Sequence, residues 1–119
     1  MTQRIMELAR AMGKVSADEE ELLTTLCGAA RQELTGALRE GVEPEDCPET
    51  FALAGAWLVL AGLEVSRGAG QMESFTAGDV TIREGNVTDR VKMLRAQAKK
   101  LMSGWTRNDT FLFYGVNGL

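Results

Sequence analysis

The chain has 119 residues, of which 45% are hydrophobic and 25% charged, the composition of one ordinary globular domain with a single core. It contains no histidine, which excludes histidine-ligated metal sites and the usual serine and cysteine triads. The net charge of −4 is uneven: residues 1–50 carry 5 basic and 11 acidic side chains, whereas residues 51–119 carry 8 and 6. An acidic N-terminal half argues against nucleic-acid binding by the whole surface.

The N-terminus and the cysteines indicate a protein that folds in a cytoplasm. Arg4 and Glu7 lie among the first residues, and the apolar core of a signal peptide is missing there. The longest uncharged run, 50–63, is too short to span a bilayer, so we expect a buried helix and no membrane contact. Cys27 lies on an apolar helix face and is expected to be a small buried hydrophobe. The sequence neither requires nor excludes a disulfide with Cys47.

Two amphipathic helices are predicted in the N-terminal third, at about 3–12 and 17–40. Apolar residues recur at helical spacing in the first, and Gly13 is expected to end it. Ser16 and Glu19 have the spacing of a capping box, and the acidic residues that follow suit the positive end of the helix dipole. The apolar stripe of the second helix repeats every four residues: Leu22, Leu26, Ala30, Leu34 and Leu38.

A third helix is predicted at about 48–66, after a linker that contains both prolines. Asp46 and Glu49 have the spacing of a second capping box at its start. Apolar residues lie on every side of this helix, so we expect it at the centre of the fold. Glycine inside a helix costs about 1 kcal/mol relative to alanine, so Gly55 and Gly62 indicate close approach by a neighbouring segment.

A β-hairpin is predicted at about 73–84, after the glycines of 67–70 stop the third helix. Gly78-Asp79 suits a two-residue turn, and the resulting register puts Phe75 opposite Ile82 on an apolar face. An isolated two-stranded hairpin is marginally stable in water. We therefore expect it to lean on the chain's own helices or on a neighbouring subunit, which makes it the leading candidate for an assembly element.

A fourth helix is predicted at about 87–103, and a tail follows at 105–119. Lys92, Arg95 and Lys99 line one face of this helix, interpreted as a solvated face partly neutralised by nearby acids. The tail is rich in aromatic residues and is expected to dock as an irregular arm or short strand. Together the elements predict a mainly α fold in a single domain: a small helical bundle with one inserted β-hairpin and an extended C-terminal tail.

The chain carries no residue pattern that predicts catalysis, a cofactor or a metal. Gly68-Ala69-Gly70 lacks the third glycine of a nucleotide-binding loop and its strand-then-helix context. Carboxylate pairs lie in helix starts and linkers. We therefore expect a protein that is not an enzyme, with no catalytic residues, no cofactor and no metal ligands.

Three stretches are similar to head–tail connector (head-completion or adaptor) proteins of long-tailed double-stranded DNA bacteriophages: FALAGAWLVLAGLEVSRGAG, ESFTAGDVTIREGN and FLFYGVNGL. The order of elements resembles that family too, with N-terminal helices, a helix rich in small residues, a hairpin, a further helix and a tail. The resemblance covers most of the chain and rests on residue type rather than on catalytic signatures.

The resemblance implies a structural neck protein of a phage or prophage virion, assembled in the bacterial host cytoplasm. Copies would form a ring, twelve-fold on the virion, that sits on the portal protein, completes the DNA-filled head and joins a downstream neck or tail protein. DNA would pass through without sequence-specific binding. By position, the implied subunit or portal contacts are Ser74, Phe75, Thr76, Gly78, Asp79, Val80, Ile82, Phe111, Phe113 and Tyr114. The candidates for a face toward the DNA channel or an acidic partner are Lys92, Arg95 and Lys99.

Two other functions also fit the sequence. A small bacterial helical adaptor would bind one protein partner through the tail, as a heterodimer rather than a ring. A DNA-binding regulator would use the basic residues of the fourth helix and would bind duplex DNA in a salt-dependent way. The sequence has no recognisable helix-turn-helix motif, which counts against the regulator.

Overall fold

The structure, a computed structural model, describes the backbone of residues 1–73 and 77–107 and the side chains of 1–68 and 87–107. It is mainly helical, which confirms the predicted fold class at this level. The four helices are α1 (Thr2–Gly13), α2 (Glu20–Ala37), α3 (Pro48–Glu73) and α4 (Ala77–Met102), with short 3₁₀ turns at Ala17–Glu19 and Pro44–Asp46. Extended pairing among these residues is limited to an isolated antiparallel bridge between Leu38 and Thr106.

Helix α3 is the centre of the fold, as its apolar residues on every side predict. It packs against α1, α2 and α4, and α4 packs mainly against α3. Its largest fully buried side chains are those of Phe51, Val59 and Leu63. By length and composition alone, Pro48–Gly68 could cross a membrane. More than half of its most apolar stretch is buried within the protein, where a central core helix needs the same composition.

Three glycines of α3 let a different helix approach at each position. A Cβ atom would lie 2.7 Å from Ile5 Cδ1 of α1 at Gly55, 2.6 Å from Leu26 Cδ2 of α2 at Gly62, and 2.7 Å from Val87 Cγ2 of α4 at Gly68. Separations this short are below any van der Waals contact, so a larger residue would force the neighbouring side chain to move. The close approach predicted at Gly55 and Gly62 is therefore confirmed.

The prediction that residues 67–70 stop the third helix is wrong, because α3 continues to Glu73. Gly68 lies inside the helix and faces Val87. Its neighbour one turn earlier, Glu64, faces Arg90, so α3 and α4 run antiparallel. A glycine's helix penalty is only about 1 kcal/mol, and packing against α4 offsets it. Sequence alone does not distinguish a glycine that ends a helix from a glycine inside a helix that lets a neighbouring helix pack closely.

The predicted β-hairpin is not confirmed. Residues 77–84, which were predicted to form the end of its first strand, its turn and its second strand, lie in the first turns of α4, and Glu73 ends α3. Residues 74–76 lie outside the described part of the chain, as does the tail beyond Arg107. The helical arrangement has a clear physical advantage, because a helix satisfies its backbone groups internally whereas a lone hairpin leaves two open edges.

Packing as well as local sequence determines where the first two helices end. Helix α1 ends at Gly13, as predicted, and the residue after it, Lys14, has a left-handed φ of 49°. Gly13 packs against Leu60, whose Cδ2 would lie 2.5 Å from an added Cβ. Helix α2 stops at Ala37, short of the predicted residue 40, because Leu38 is extended and bridges to Thr106.

The first predicted capping box is confirmed. The Glu19 carboxylate accepts a hydrogen bond from the backbone N–H of Ser16 at 3.1 Å. The second predicted box takes a different register. Asp46 accepts from the backbone N–H of Glu43 at 2.9 Å, so it closes the 3₁₀ turn in the linker and does not pair with Glu49. The shift arises because the linker forms a turn of its own before α3 begins.

We predict that Gly68→Ala destabilises the protein by about 1–2 kcal/mol, because the new methyl group overpacks the α3–α4 contact by more than it gains in helix propensity. The matched control is Gly28→Ala in α2, where no atom lies within 4 Å of the added Cβ. It should stabilise by about 0.5–1 kcal/mol. Urea denaturation measures both free energies of unfolding.

Adding Val87→Ala removes the group that the new methyl meets. The double variant should therefore be more stable than the sum of the two single effects predicts. If Gly68→Ala were as stabilising as Gly28→Ala, the close contact between α3 and α4 would be refuted.

Candidate docking surface

Helix α4 leaves a hollow on each side because it packs mainly against α3 rather than into a closed bundle. One hollow lies between α4 and α1, and we call it the α1–α4 groove. The other lies between α4 and α2, and we call it the α2–α4 pocket. Both have α3 as their floor.

The α1–α4 groove is the larger of the two, with a volume of about 560 Å³. Its apolar part includes Met12, Trp57, Leu60, Met93 and Leu94. Met12 is 38% exposed and Met93 is 55% exposed, which is unusual solvent contact for two large apolar side chains that line one groove. Methionine is flexible and polarisable, so a surface of this kind adapts to a partner's shape.

The polar edge of this groove contains Arg67, which ties α3 to the connection between α1 and α2. Its guanidinium donates to both carboxylate oxygens of Glu19, from Nε and Nη2, at 2.8 Å each. Nη2 also donates to the backbone carbonyls of Gly13 at 3.0 Å and Lys14 at 3.3 Å. Hydrogen bonding from Arg67 and then from the Ser16 backbone lowers the pKa of Glu19 to about 2.

The α2–α4 pocket is smaller, with a volume of about 170 Å³, and most of the residues that line it are apolar. Its small lining residues are Ala29, Ala30, Ala61 and Gly62, and its larger apolar ones are Leu26, Leu58, Val65 and Val91. An ion pair between Arg95 of α4 and Glu33 of α2, at 2.5 Å, lies at its polar end. Val65 is 53% exposed, so this pocket also presents uncovered apolar surface.

Opposite charges lie on the two flanks of α2. On one flank Arg95 reaches Glu33, and α4 presents a basic face that consists of Lys92, Arg95, Lys99 and Lys100. On the other flank Glu43 and Glu45 lie beside Arg31 and Thr35 of α2. We call Glu40, Glu43 and Glu45 the acidic linker; all three are exposed, like the four residues of the basic face.

The predicted site residues fall into three groups. Lys92, Arg95 and Lys99 are exposed on α4, and Glu33 pairs with Arg95. The backbone of four predicted contact residues lies in α4, while their side chains fall outside the described set: Gly78, Asp79, Val80 and Ile82. The remaining six lie outside the described residues: Ser74, Phe75, Thr76, Phe111, Phe113 and Tyr114. The contacts expected from them therefore remain predictions.

Sequence reasoning missed the α1–α4 groove and the pair between Arg67 and Glu19. Met12 and Met93 are 81 positions apart, and only the packing of α1 and α4 on α3 brings them to one groove. Arg67 did carry a signal, because a charged residue in an otherwise apolar helix needs a polar partner. The sequence did not reveal which carboxylate that partner is.

The described residues contain no group of three or more side chains suited to hold a metal ion. Cys27 and Cys47 are buried free thiols, and burial raises the pKa of each. Neither is therefore activated as a nucleophile. No protein-family model, curated protein or solved structure matches this chain.

We predict that the Arg67–Glu19 pair makes the protein sensitive to acid. The folded state lowers the pKa of Glu19 from 4.5 to about 2, so the stabilisation is present above pH 4.5 and is lost as the pH falls toward 2. Glu19→Gln should cost about 1 kcal/mol at pH 7. It should also flatten the dependence of unfolding free energy on pH across this window, measured by urea denaturation.

The control is Glu21→Gln, which changes an exposed carboxylate of the same helix start. Glu21→Gln should keep the wild-type pH dependence. Equal slopes for wild type and Glu19→Gln between pH 4.5 and 2 would show that the pair contributes nothing to stability.

Proposed function

We propose that this chain is a non-enzymatic neck protein of a long-tailed phage or prophage, which assembles as a ring on the portal protein and joins the filled head to the tail. The proposal starts from the resemblance of the three sequence stretches to head–tail connectors. It places the mature protein in the virion neck, with DNA passing through the ring. Residues 74–82 and the tail 111–119 are proposed as further contacts with neighbouring copies, the portal or a tail protein.

The observation that best supports self-assembly is the separation of charge on the two flanks of α2. Arg95 of the basic face meets α2 on one side at Glu33, whereas Glu43 and Glu45 of the acidic linker lie beside its other side, and both charged surfaces are exposed. A chain with complementary surfaces on opposite flanks can bind a copy of itself head to tail. Heterologous contacts of this kind close into a ring when the rotation between copies allows it.

The charge contact would set orientation and partner choice more than affinity. Exposed ion pairs contribute about 0–1 kcal/mol each and weaken in salt. Apolar area must supply the rest, and the α1–α4 groove with Met12 and Met93 offers such area. The proposal therefore predicts a ring whose formation is salt-dependent and is stabilised on a portal template.

The test is native mass spectrometry of the protein with a portal ring from the same genome. Lys92→Glu/Lys99→Glu/Lys100→Glu makes the net charge of the basic face negative, and Glu40→Lys/Glu45→Lys makes the net charge of the linker positive. Glu43 is left intact because its side chain caps the 3₁₀ turn. Each variant alone should lose at least about tenfold in ring loading, since surfaces of like net charge would meet at every contact. An equal mixture should recover loading, because every contact then joins opposite charges.

The control is Glu7→Lys/Glu21→Lys, which changes charge by the same amount as the linker variant at exposed positions of α1 and α2. It should load like the wild type. Wild-type protein that stays monomeric and ignores the portal would overturn the proposed function. A ring that tolerates both reversals would overturn only the head-to-tail charge contact. Salt-dependent binding of duplex DNA that needs Lys92 and Lys99, without a ring, would favour the regulator instead.

A further inference from the structure

Each edge of the α1–α4 groove carries an exposed charged residue close to an exposed methionine. On the α1 edge these are Lys14 and Met12, two positions apart. On the α4 edge they are Asp89 and Met93, which are one helical turn apart and therefore share one side of α4. Lys14 and Asp89 have opposite charges, and neither forms an ion pair with another residue that the structure describes.

The two charged residues lie at the same end of the groove. Arg67 of α3 donates from Nη2 to the backbone carbonyl of Lys14 at 3.3 Å. Arg90, the residue after Asp89, binds Glu64 of α3 at 2.7 Å. Glu64 and Arg67 are about one turn apart on α3, so Lys14 and Asp89 lie at nearly the same level along this helix.

The two methionines lie on the same side of these charges. Helix α1 runs parallel to α3, because its beginning meets Gly55 and its end meets Leu60. Helix α4 runs antiparallel to α3. Met12 precedes the charged residue of its edge in the sequence, whereas Met93 follows the charged residue of its own, so both lie toward the start of α3. The two edges therefore present a charge and then a methionine in the same direction, with opposite charges.

Such a groove is complementary to itself. A two-fold axis along the groove would place the α1 edge of one copy on the α4 edge of another, and the reverse. Lys14 of each copy would then meet Asp89 of the other, and Met12 of each copy would meet Met93 of the other. We propose that, in the absence of a portal, two copies of this chain form a two-fold dimer through the α1–α4 groove.

The apolar groups and the charges would have separate roles in this dimer. The methionines, with Trp57 in the groove between them, supply apolar area that adapts to the facing copy. The charges fix the orientation of the two copies more than they add affinity. The inference does not rest on the proposed function. Since the ring would use the same groove, binding to a portal would have to replace the dimer contact.

Sedimentation equilibrium of the full chain without a portal tests the dimer, whose expected mass is twice the 12.9 kDa of one chain. Met93→Glu should raise the dissociation constant at least about tenfold, because it buries a charge among apolar groups. The matched control is Val65→Glu, since Val65 is 53% exposed against 55% for Met93 but lines the α2–α4 pocket. This control should dimerise like the wild type, and circular dichroism checks that both variants fold.

Charge reversal tests the orientation of the two copies. Lys14→Glu and Asp89→Lys each put like charges at both contacts, so each variant alone should dimerise about tenfold more weakly. An equal mixture of the two should recover wild-type affinity, because both contacts of a mixed dimer join opposite charges. Mixing would not restore a contact made within one chain.

A wild-type protein that stays monomeric up to about 1 mM would overturn the dimer. A dimer that tolerates Met93→Glu, or single charge variants that mixing does not rescue, would overturn it too. Larger oligomers without a dimer would also overturn it and would favour the ring. A protein that is monomeric alone but loads onto a portal would overturn only the dimer and would support the proposed function.

Discussion

The structure depends on how closely three helices approach α3. Gly55, Gly62 and Gly68 have no side chain. A residue of α1, α2 or α4, respectively, occupies the space that a side chain would fill. Protein interiors are packed almost as densely as organic crystals, so a methyl group at any of these positions has no free volume to enter. The three glycines therefore allow α1, α2 and α4 to pack closely on α3 at these positions.

The two candidate docking surfaces follow from this arrangement. Because α4 packs mainly against α3, it leaves the α1–α4 groove on one side and the α2–α4 pocket on the other. Ion pairs fix the edges of both: Arg67 with Glu19 and Arg90 with Glu64 at the groove, and Arg95 with Glu33 at the pocket. The bundle thus leaves apolar surface uncovered while the charged side chains at its edges form ion pairs.

Much of the architecture could be predicted from local pattern, and the failures have a common cause. The capping box at Ser16, the burial of Cys27 and the close approach at Gly55 were predicted because each depends on residues a few positions apart or on a single periodicity. The interpretation of Gly68 as a helix stop failed because the residue that decides it, Val87, is nineteen positions away. At the candidate docking surface, the exposed basic face of α4 could be predicted from residue spacing. The α1–α4 groove and the α2–α4 pocket could not.

The sequence by itself determined that the chain is mainly helical, that its third helix is central and that its charge is divided between an acidic and a more basic half. These properties follow from composition and from the 3.6-residue period of a helix. Only the tertiary structure decided where α2 and α3 end, which carboxylate Arg67 meets and where apolar surface stays uncovered. Each of these depends on contacts between segments far apart in the chain, whose free energies exceed the small local preferences that a sequence pattern expresses.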